Sequence, residues 1–331
     1  MSQKCSGRCI NNMRTIFTIL FLFLLVYTSF AQTNERVEWY LQRPDTDIYV
    51  REAGRGKDAV IVVHGGFGAN HDYMLDAVRG TEDEHHFVFY DQRGSLLSPT
   101  AKENLTFDKN VEDLAALVRA LRRPRVKLFC HSMGTLVCME FMKRHPNKVS
   151  AMVLAGAIFA KADSEKDVFS PRMERQVAEL LNRPEVTKLL KPYLDKGLEK
   201  LRTVEDIDAS RLTHKDLTDA WRIKFAATNI FDITRYARVK GGRAFYKPEA
   251  AVMSETVNWK YDYRPILAAN KNVTFIQGDR DFLDFDAAEH RKLLEPFPKI
   301  RLVVIKNAGH NAWIDAPQQF GRLLNTALGS E

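Results

Sequence analysis

Five apolar residues in an unbroken run, Ala59–Val63, predict a strand covered on both faces. Further strands are expected at 87–90, 126–129, 149–154, 273–276 and 302–305, the second, third and fourth each interrupted by one polar residue, and 48–54 reads as an earlier strand running into a turn. Between these runs the apolar positions change to helical spacing. Val111, Leu114, Leu117, Val118 and Leu121 mark a helix over 110–122, and further helices are expected over 287–294 and 317–328. Strands that alternate with helices predict the α/β class: a mostly parallel sheet, eight strands in all, with helices on both faces.

The alternation stops between 157 and 265. That stretch is charged, helix-like and punctuated by Pro171, Pro184, Pro192 and Pro248, and aromatic residues such as Phe169, Trp221, Phe225 and Trp259 recur in it. The strands resume directly afterwards in an order that completes one sheet. An inserted helical cap over the sheet's carboxyl edge therefore fits better than a separate helical domain. The expected division is a core of 32–156 with 266–331, and a cap of 157–265.

The first 31 residues stand apart. Lys4, Arg8 and Arg14 precede an apolar stretch from Ile16 to Tyr27, and Ser29-Phe30-Ala31 offers small residues where a signal peptidase reads. This is the pattern of a secretory signal peptide cut after Ala31, which predicts a secreted or periplasmic protein. The alternative is a membrane anchor, but the stretch is shorter than the roughly 20 residues a spanning helix needs. No stable membrane insertion is expected once the segment is removed.

Charge adds little. The 331-residue chain carries 49 basic and 42 acidic residues. Removing the three basic residues of the signal segment leaves an excess of four, which fits a solvated surface and not a nucleic-acid binder. Small molecules or short peptides are the expected partners, and the sequence leaves the oligomeric state open. Of the four cysteines, Cys5 and Cys9 precede the apolar stretch. Cys130 and Cys138 remain, on consecutive elements inside a predicted core, and are expected to be buried small apolar residues and not a disulfide.

The candidate chemistry sits at strand ends. Residues 126–134 run from an apolar strand through Cys130-His131-Ser132-Met133-Gly134 into a helical pattern. A strand, a sharp turn and a helix at this spacing lift one serine hydroxyl above the sheet edge, the nucleophile-elbow arrangement, with Cys130 in place of the usual first glycine. The plainer reading of Ser132 is a helix N-cap. A serine hydroxyl is a weak nucleophile and needs a base, which in turn needs an orienting carboxylate. His310 follows the last strand and is the candidate base. Asp281 follows the penultimate strand and is the candidate acid, with Asp279 and Asp284 as neighbours, one of which would cap the next helix. His131 is expected to point away from the turn, His64 to stabilise a loop, and His85, His86, His214 and His290 to be surface or helix residues. The amides of Met133 and of Gly66, within Gly65-Gly66-Phe67, are the candidate oxyanion donors. No metal or organic cofactor is required by this set.

The order Ser132, Asp281, His310 is that of the α/β-hydrolase triad, and the chain resembles the α/β-hydrolase superfamily over 45–328. His64-Gly65-Gly66 together with Asp91-Gln92-Arg93-Gly94-Ser95 resembles the prolyl iminopeptidase-like branch. Phe67 stands where that branch has proline, Leu96 where it has glycine, and Ser98 is retained. The resemblance implies a helical cap, a serine triad, and removal of an N-terminal residue, commonly proline, from small peptides. Acidic cap residues would hold the substrate amine, with Glu174, Glu179, Glu205, Glu249 and Glu255 all available. Asp91 and Arg93 are read as a structural turn pair. A carboxylesterase uses the same triad and is the second expectation. A catalytically idle binding protein on the same fold is the third. An epoxide hydrolase or dehalogenase would place Asp where Ser132 stands.

Overall fold

The computed structural model describes residues 37–200, 211–239, 248–270 and 272–329. The expected signal segment, Glu205 and the ends of the chain lie outside these residues.

The chain opens with a hairpin, β1 (Val37–Arg43) and β2 (Thr46–Gly54), and continues through β3 (Ala59–Val63) and β4 (His86–Tyr90) to helix α1 (Phe107–Ala120). Next come β5 (Val126–His131), α2 (Met133–Arg144) and β6 (Val149–Ala155). A long excursion follows, holding β7 (Lys161–Ala162), α3 (Glu165–Val168), α4 (Pro171–Leu181), α5 (Pro184–Leu194), α6 (His214–Asn229), β8 (Tyr261–Asp262) and α7 (Arg264–Ala269). The chain then returns through β9 (Val273–Gly278), α8 (Ala288–Leu294), β10 (Arg301–Ile305), α9 (Ala312–Asp315) and α10 (Pro317–Leu328).

Eight strands form one sheet in the order β1-β2-β4-β3-β5-β6-β9-β10. Strand β2 is antiparallel to both its neighbours, and β4, β3, β5, β6, β9 and β10 pair in parallel. The mostly parallel eight-stranded sheet expected from the apolar runs is what forms. The one strand the runs do not announce is β1, whose side chains are exposed or half-buried along its length. It is an edge strand, recognisable only by its pairing with β2.

Successive residues of the central strands feed two cores. Ile61, Val63, Leu128, Cys130, Met152 and Leu154 pack on one face with residues of α1 and α2. Val60, Val62, Phe129, Val153 and Ala155 pack on the other with Phe320 and Leu324 of α10. Side chains of a strand alternate between faces, so an unbroken apolar run serves both. The second core also takes in Ala220, Ile223, Ala226 and Ala227 from α6 of the excursion. The excursion is closed at its base by an antiparallel pairing of β7 and β8, Lys161 with Asp262 and Ala162 with Tyr261. It thus leaves and re-enters the sheet at one place.

Candidate active site

Strand β5 ends at His131, and α2 begins at Met133. The residue between, Ser132, has φ 51° and ψ −130°. A non-glycine residue in this region is strained and persists only where its surroundings fix it. Here the fixing is visible. Ser132 N donates to Ala155 O at 3.1 Å, and Ser132 O accepts from Thr135 N at 2.8 Å and from Thr135 Oγ1 at 2.6 Å. The backbone at Gly65 comes so close that a Cβ there would lie 2.4 Å from Ser132 Cβ. The Ser132 side chain makes no capping bond to α2.

Cys130 departs from the expectation of a free buried thiol. It is joined to Cys138 in α2 by a disulfide. Cys130 faces the core that contains α2, so its side chain turns toward that helix and leaves the tight turn uncrowded.

His310 follows β10, and its Nδ1 lies 3.0 and 2.9 Å from the two carboxylate oxygens of Asp281. Both side chains are buried. Asp281 follows β9, and its Oδ1 also accepts from Leu283 N at 3.0 Å. The neighbouring carboxylates have other partners. Asp279 accepts from Ala308 N and lies near Lys306. Asp284 accepts from the backbone of Glu289 and His290 at the start of α8, and pairs with His290 Nδ1 at 2.8 Å and Arg172 at 3.1 Å. Ser132 and His310 line one cavity of about 350 Å³.

Gly66 has φ 64°, a conformation glycine adopts without steric cost. Its carbonyl accepts from Ala69 N at 2.9 Å, which turns the loop back on itself. Met133 supplies the first amide of α2, one of four at a helix start that have no acceptor within the helix. Both residues, with Ser132, line a second cavity of about 180 Å³.

Three other expectations need correction. His131 does not point away: it lines the larger cavity, its ring 4.5 Å from that of His310 and 4.9 Å from that of Trp313. As the last residue of β5 it faces the same side as Phe129, opposite to Cys130. Asp91 and Arg93 do not pair with each other. Asp91 accepts from the backbone and Nδ1 of His71, at 3.0 and 2.7 Å. Arg93 reaches Asp113 in α1 at 2.7 and 2.8 Å, and Asp45 in the β1–β2 turn. His85 is buried and outside any helix, neither a surface nor a helix residue, whereas His290 lies in α8 as expected. His64 is a loop stabiliser as expected. Its Nε2 accepts from Gln92 N at 3.0 Å and Nδ1 lies 3.0 Å from Gly65 O. Burial pushes its pKa down to about 4.

The larger cavity is walled mainly by apolar side chains, among them Trp221, Phe225, Val239, Phe282, Trp313 and Ile314. Sequence patterns single out none of these for the site, although Phe282 adjoins Asp281 and Trp313 closely follows His310. The excursion's contribution is aromatic, amide, hydroxyl and cationic: Trp221, Phe225, Thr228, Asn229, Arg238 and Val239. Glu174, Glu179, Glu249 and Glu255 are exposed and line neither cavity. The acidic residues in the wall, Asp72 and Asp76, come from the turn after β3. The smaller cavity, which shares Gly66, Ser132 and Phe282 with the larger, adds Ile158, Phe169 and Leu283. Among the described residues, no group of three or more His, Cys, Asp or Glu side chains has the arrangement of a metal site.

Residues 58–317 match the alpha/beta hydrolase fold family. The chain belongs to that family. It is 30% identical over 95 residues to an Enterobacter cloacae protein described as the carbamate hydrolase RutD, 28% of this chain and 36% of that one. The chain thus spans little more than a third of that relative's length. A Haemophilus influenzae protein described as an esterase/lipase is 22% identical over 259 residues, 78% of this chain and 77% of that one. Among solved structures, the proline iminopeptidase-related protein from Thermus thermophilus superposes with a TM-score of 0.56 at 23% identity, over 89% of this chain and 98% of that one. The fold is shared with the solved structure, and the two sequence relatives are described as a hydrolase and an esterase/lipase.

Proposed function

We propose that this hydrolase is a secreted serine hydrolase that works through an acyl-enzyme. Ser132 Oγ attacks the substrate carbonyl while His310 takes its proton. Asp281 holds the His310 Nδ1–H, which leaves Nε2 as the nitrogen for the serine. The amides of Gly66 and Met133 donate to the oxyanion. His310 returns the proton to the leaving group, and the C–O or C–N bond breaks. Water then attacks the acyl carbon as His310 takes its proton, and His310 passes that proton to Ser132 Oγ as the acyl carbon–Oγ bond breaks, which releases the acid and free Ser132. The observation that carries this reading is the two-oxygen contact of Asp281 with His310 Nδ1, at the edge of a cavity that also holds Ser132.

The cavity walls favour an uncharged ester with apolar groups on both sides of the carbonyl. The larger cavity suits the bulkier group and the smaller one a short chain. The aminopeptidase reading keeps one observation of its own, the carboxylate of Asp72 in the wall, to which a substrate amine could bind. We read 157–265 as the cap that selects between them. The Cys130–Cys138 disulfide supports the secreted location, since such bonds persist in oxidising compartments.

The test is hydrolysis of a short-chain nitrophenyl ester and of proline-nitroanilide, with Ser132→Ala as control. Ester cleavage lost in the variant supports the proposal. Amide cleavage that vanishes when the amine is blocked replaces the ester with a peptide. Full activity in Ser132→Ala overturns the triad.

A further inference from the structure

The sheet fixes strands, but the three loops that must converge on a substrate all leave its carboxyl edge. One chain of hydrogen bonds ties them together. Gly65 N donates to Tyr73 Oη at 2.6 Å. Tyr73 Oη lies 2.8 Å from His131 Nδ1. His131 Nε2 lies 3.3 Å from the backbone carbonyl of His310. The two ends of this chain cannot be reversed, because an amide N–H only donates and a carbonyl only accepts. With its oxygen accepting from Gly65, the phenol directs its proton to His131 Nδ1. His131 is then the tautomer protonated at Nε2, and that proton goes to the His310 carbonyl.

The surroundings hold both rings in place and neutral. His131 is wedged between His310 and Trp313, and Trp313 stacks on Tyr73. Burial, then the neighbouring His310, keeps the His131 pKa well below its usual range. Burial pushes the Tyr73 phenol upward. The short helical turn His71–Leu75 that carries Tyr73 is itself anchored, since Asp91 accepts from both nitrogens of His71 that face it.

We infer that Tyr73 and His131 are positioning residues: together they lock the oxyanion loop and the base loop to the nucleophile strand, and thereby set where the Gly66 amide and His310 stand. The bond from Gly65 N spends that amide on Tyr73 and fixes the orientation of the Gly65–Gly66 segment. This inference rests on the serine-hydrolase reading. It concerns groups that act on the transition state, so loosening them lowers kcat and leaves KM nearly unchanged.

The tautomer of His131 is measurable without any substrate, from the ring-nitrogen resonances of ¹⁵N-histidine-labelled protein. The expected spectrum shows His131 protonated at Nε2 and not at Nδ1 in the wild type, and a tautomer mixture in Tyr73→Phe. A wild-type ring protonated at Nδ1 overturns the inference, whatever the variants do and whether or not the protein cleaves esters. In kinetics on the nitrophenyl ester, Tyr73→Phe is expected to lower kcat by about tenfold to a hundredfold, the range a misplaced catalytic group costs, with KM within about twofold. Wild-type kcat in a folded Tyr73→Phe overturns it. If that variant does not fold, His131→Asn carries the kinetic test. Its shorter amide keeps an acceptor for Tyr73 but does not reach the position from which Nε2 meets the His310 carbonyl, and wild-type kcat there overturns the inference. Loss of labelling by a fluorophosphonate probe in Ser132→Ala checks the underlying hydrolase reading separately.

Discussion

Cys130 and His131 are neighbours in sequence and face opposite sides of the sheet. One is bonded to Cys138 within the core that contains α2, and the other reaches into the cavity beside His310. The serine that follows is therefore held from below by a covalent link and from one side by a hydrogen-bonded ring.

The covalent link closes a short loop, with a sequence separation of 8. Loop-closure entropy for a ring of that size corresponds to about 2.5 kcal/mol. Replacing both cysteines by alanine is expected to lower unfolding free energy by about that amount, read from urea titration under non-reducing conditions. A thiol titration of denatured protein lacking residues 1–31, without reductant, should find no free thiol.

Of Asp279, Asp281 and Asp284, it is Asp281 that bonds to His310, the base of the proposed mechanism. Asp281→Asn is expected to lower kcat by about 10⁴-fold, the size of effect seen when a triad carboxylate is made neutral. Asp284→Asn should leave kcat within about threefold and lower the melting temperature instead, since it removes the partner of buried His290. Steady-state kinetics and calorimetry on the two variants separate these effects.

Gly65 packs against Ser132 with no room for a side chain. Gly65→Ala should push the two loops apart, costing about 1–3 kcal/mol of stability and about a hundredfold in kcat. Loss of stability with unchanged kcat would mean that the displaced loop does not feed the oxyanion site.

His64 is buried and neutral, with its folded pKa at about 4 against 6.5 for the free side chain. Between those values the unfolded chain binds a proton that the folded chain does not. Stability from this group is therefore complete above about pH 6.5 and is lost as pH falls toward 4, by about 3 kcal/mol in all. The melting temperature of wild type should fall more steeply over that window than that of His64→Gln.

The central strands are legible because burial on both faces makes them almost wholly apolar, with single polar residues such as Lys127, Ser150 and Thr274 near their starts. Strand β1 is not legible in the same way. Its residues are largely exposed, and only its register with β2, from Val37 opposite Glu52 to Arg43 opposite Thr46, makes it a strand. That a serine, a histidine and an aspartate meet at the sheet edge is suggested by residue type and chain order, and the structure puts Ser132 and His310 in one cavity and His310 against Asp281. Asp281 is separated from Asp279 and Asp284 only by geometry. The disulfide and the placement of His131 depend on which face each residue of β5 meets, and on helices and turns distant in sequence. Tyr73 carries no motif at all, and its importance arises from three contacts made by one hydroxyl and one ring.

The short pairing of β7 with β8 brings the two ends of the excursion together beside the sheet. A segment anchored in this way is close to a plug-in module, because its length and contents can change without altering the distance between its attachment points. Evolution, or an engineer, could vary what lies between Ala162 and Tyr261, apart from the face of α6 that packs into the second core, and so reshape the cavity over Ser132 and His310.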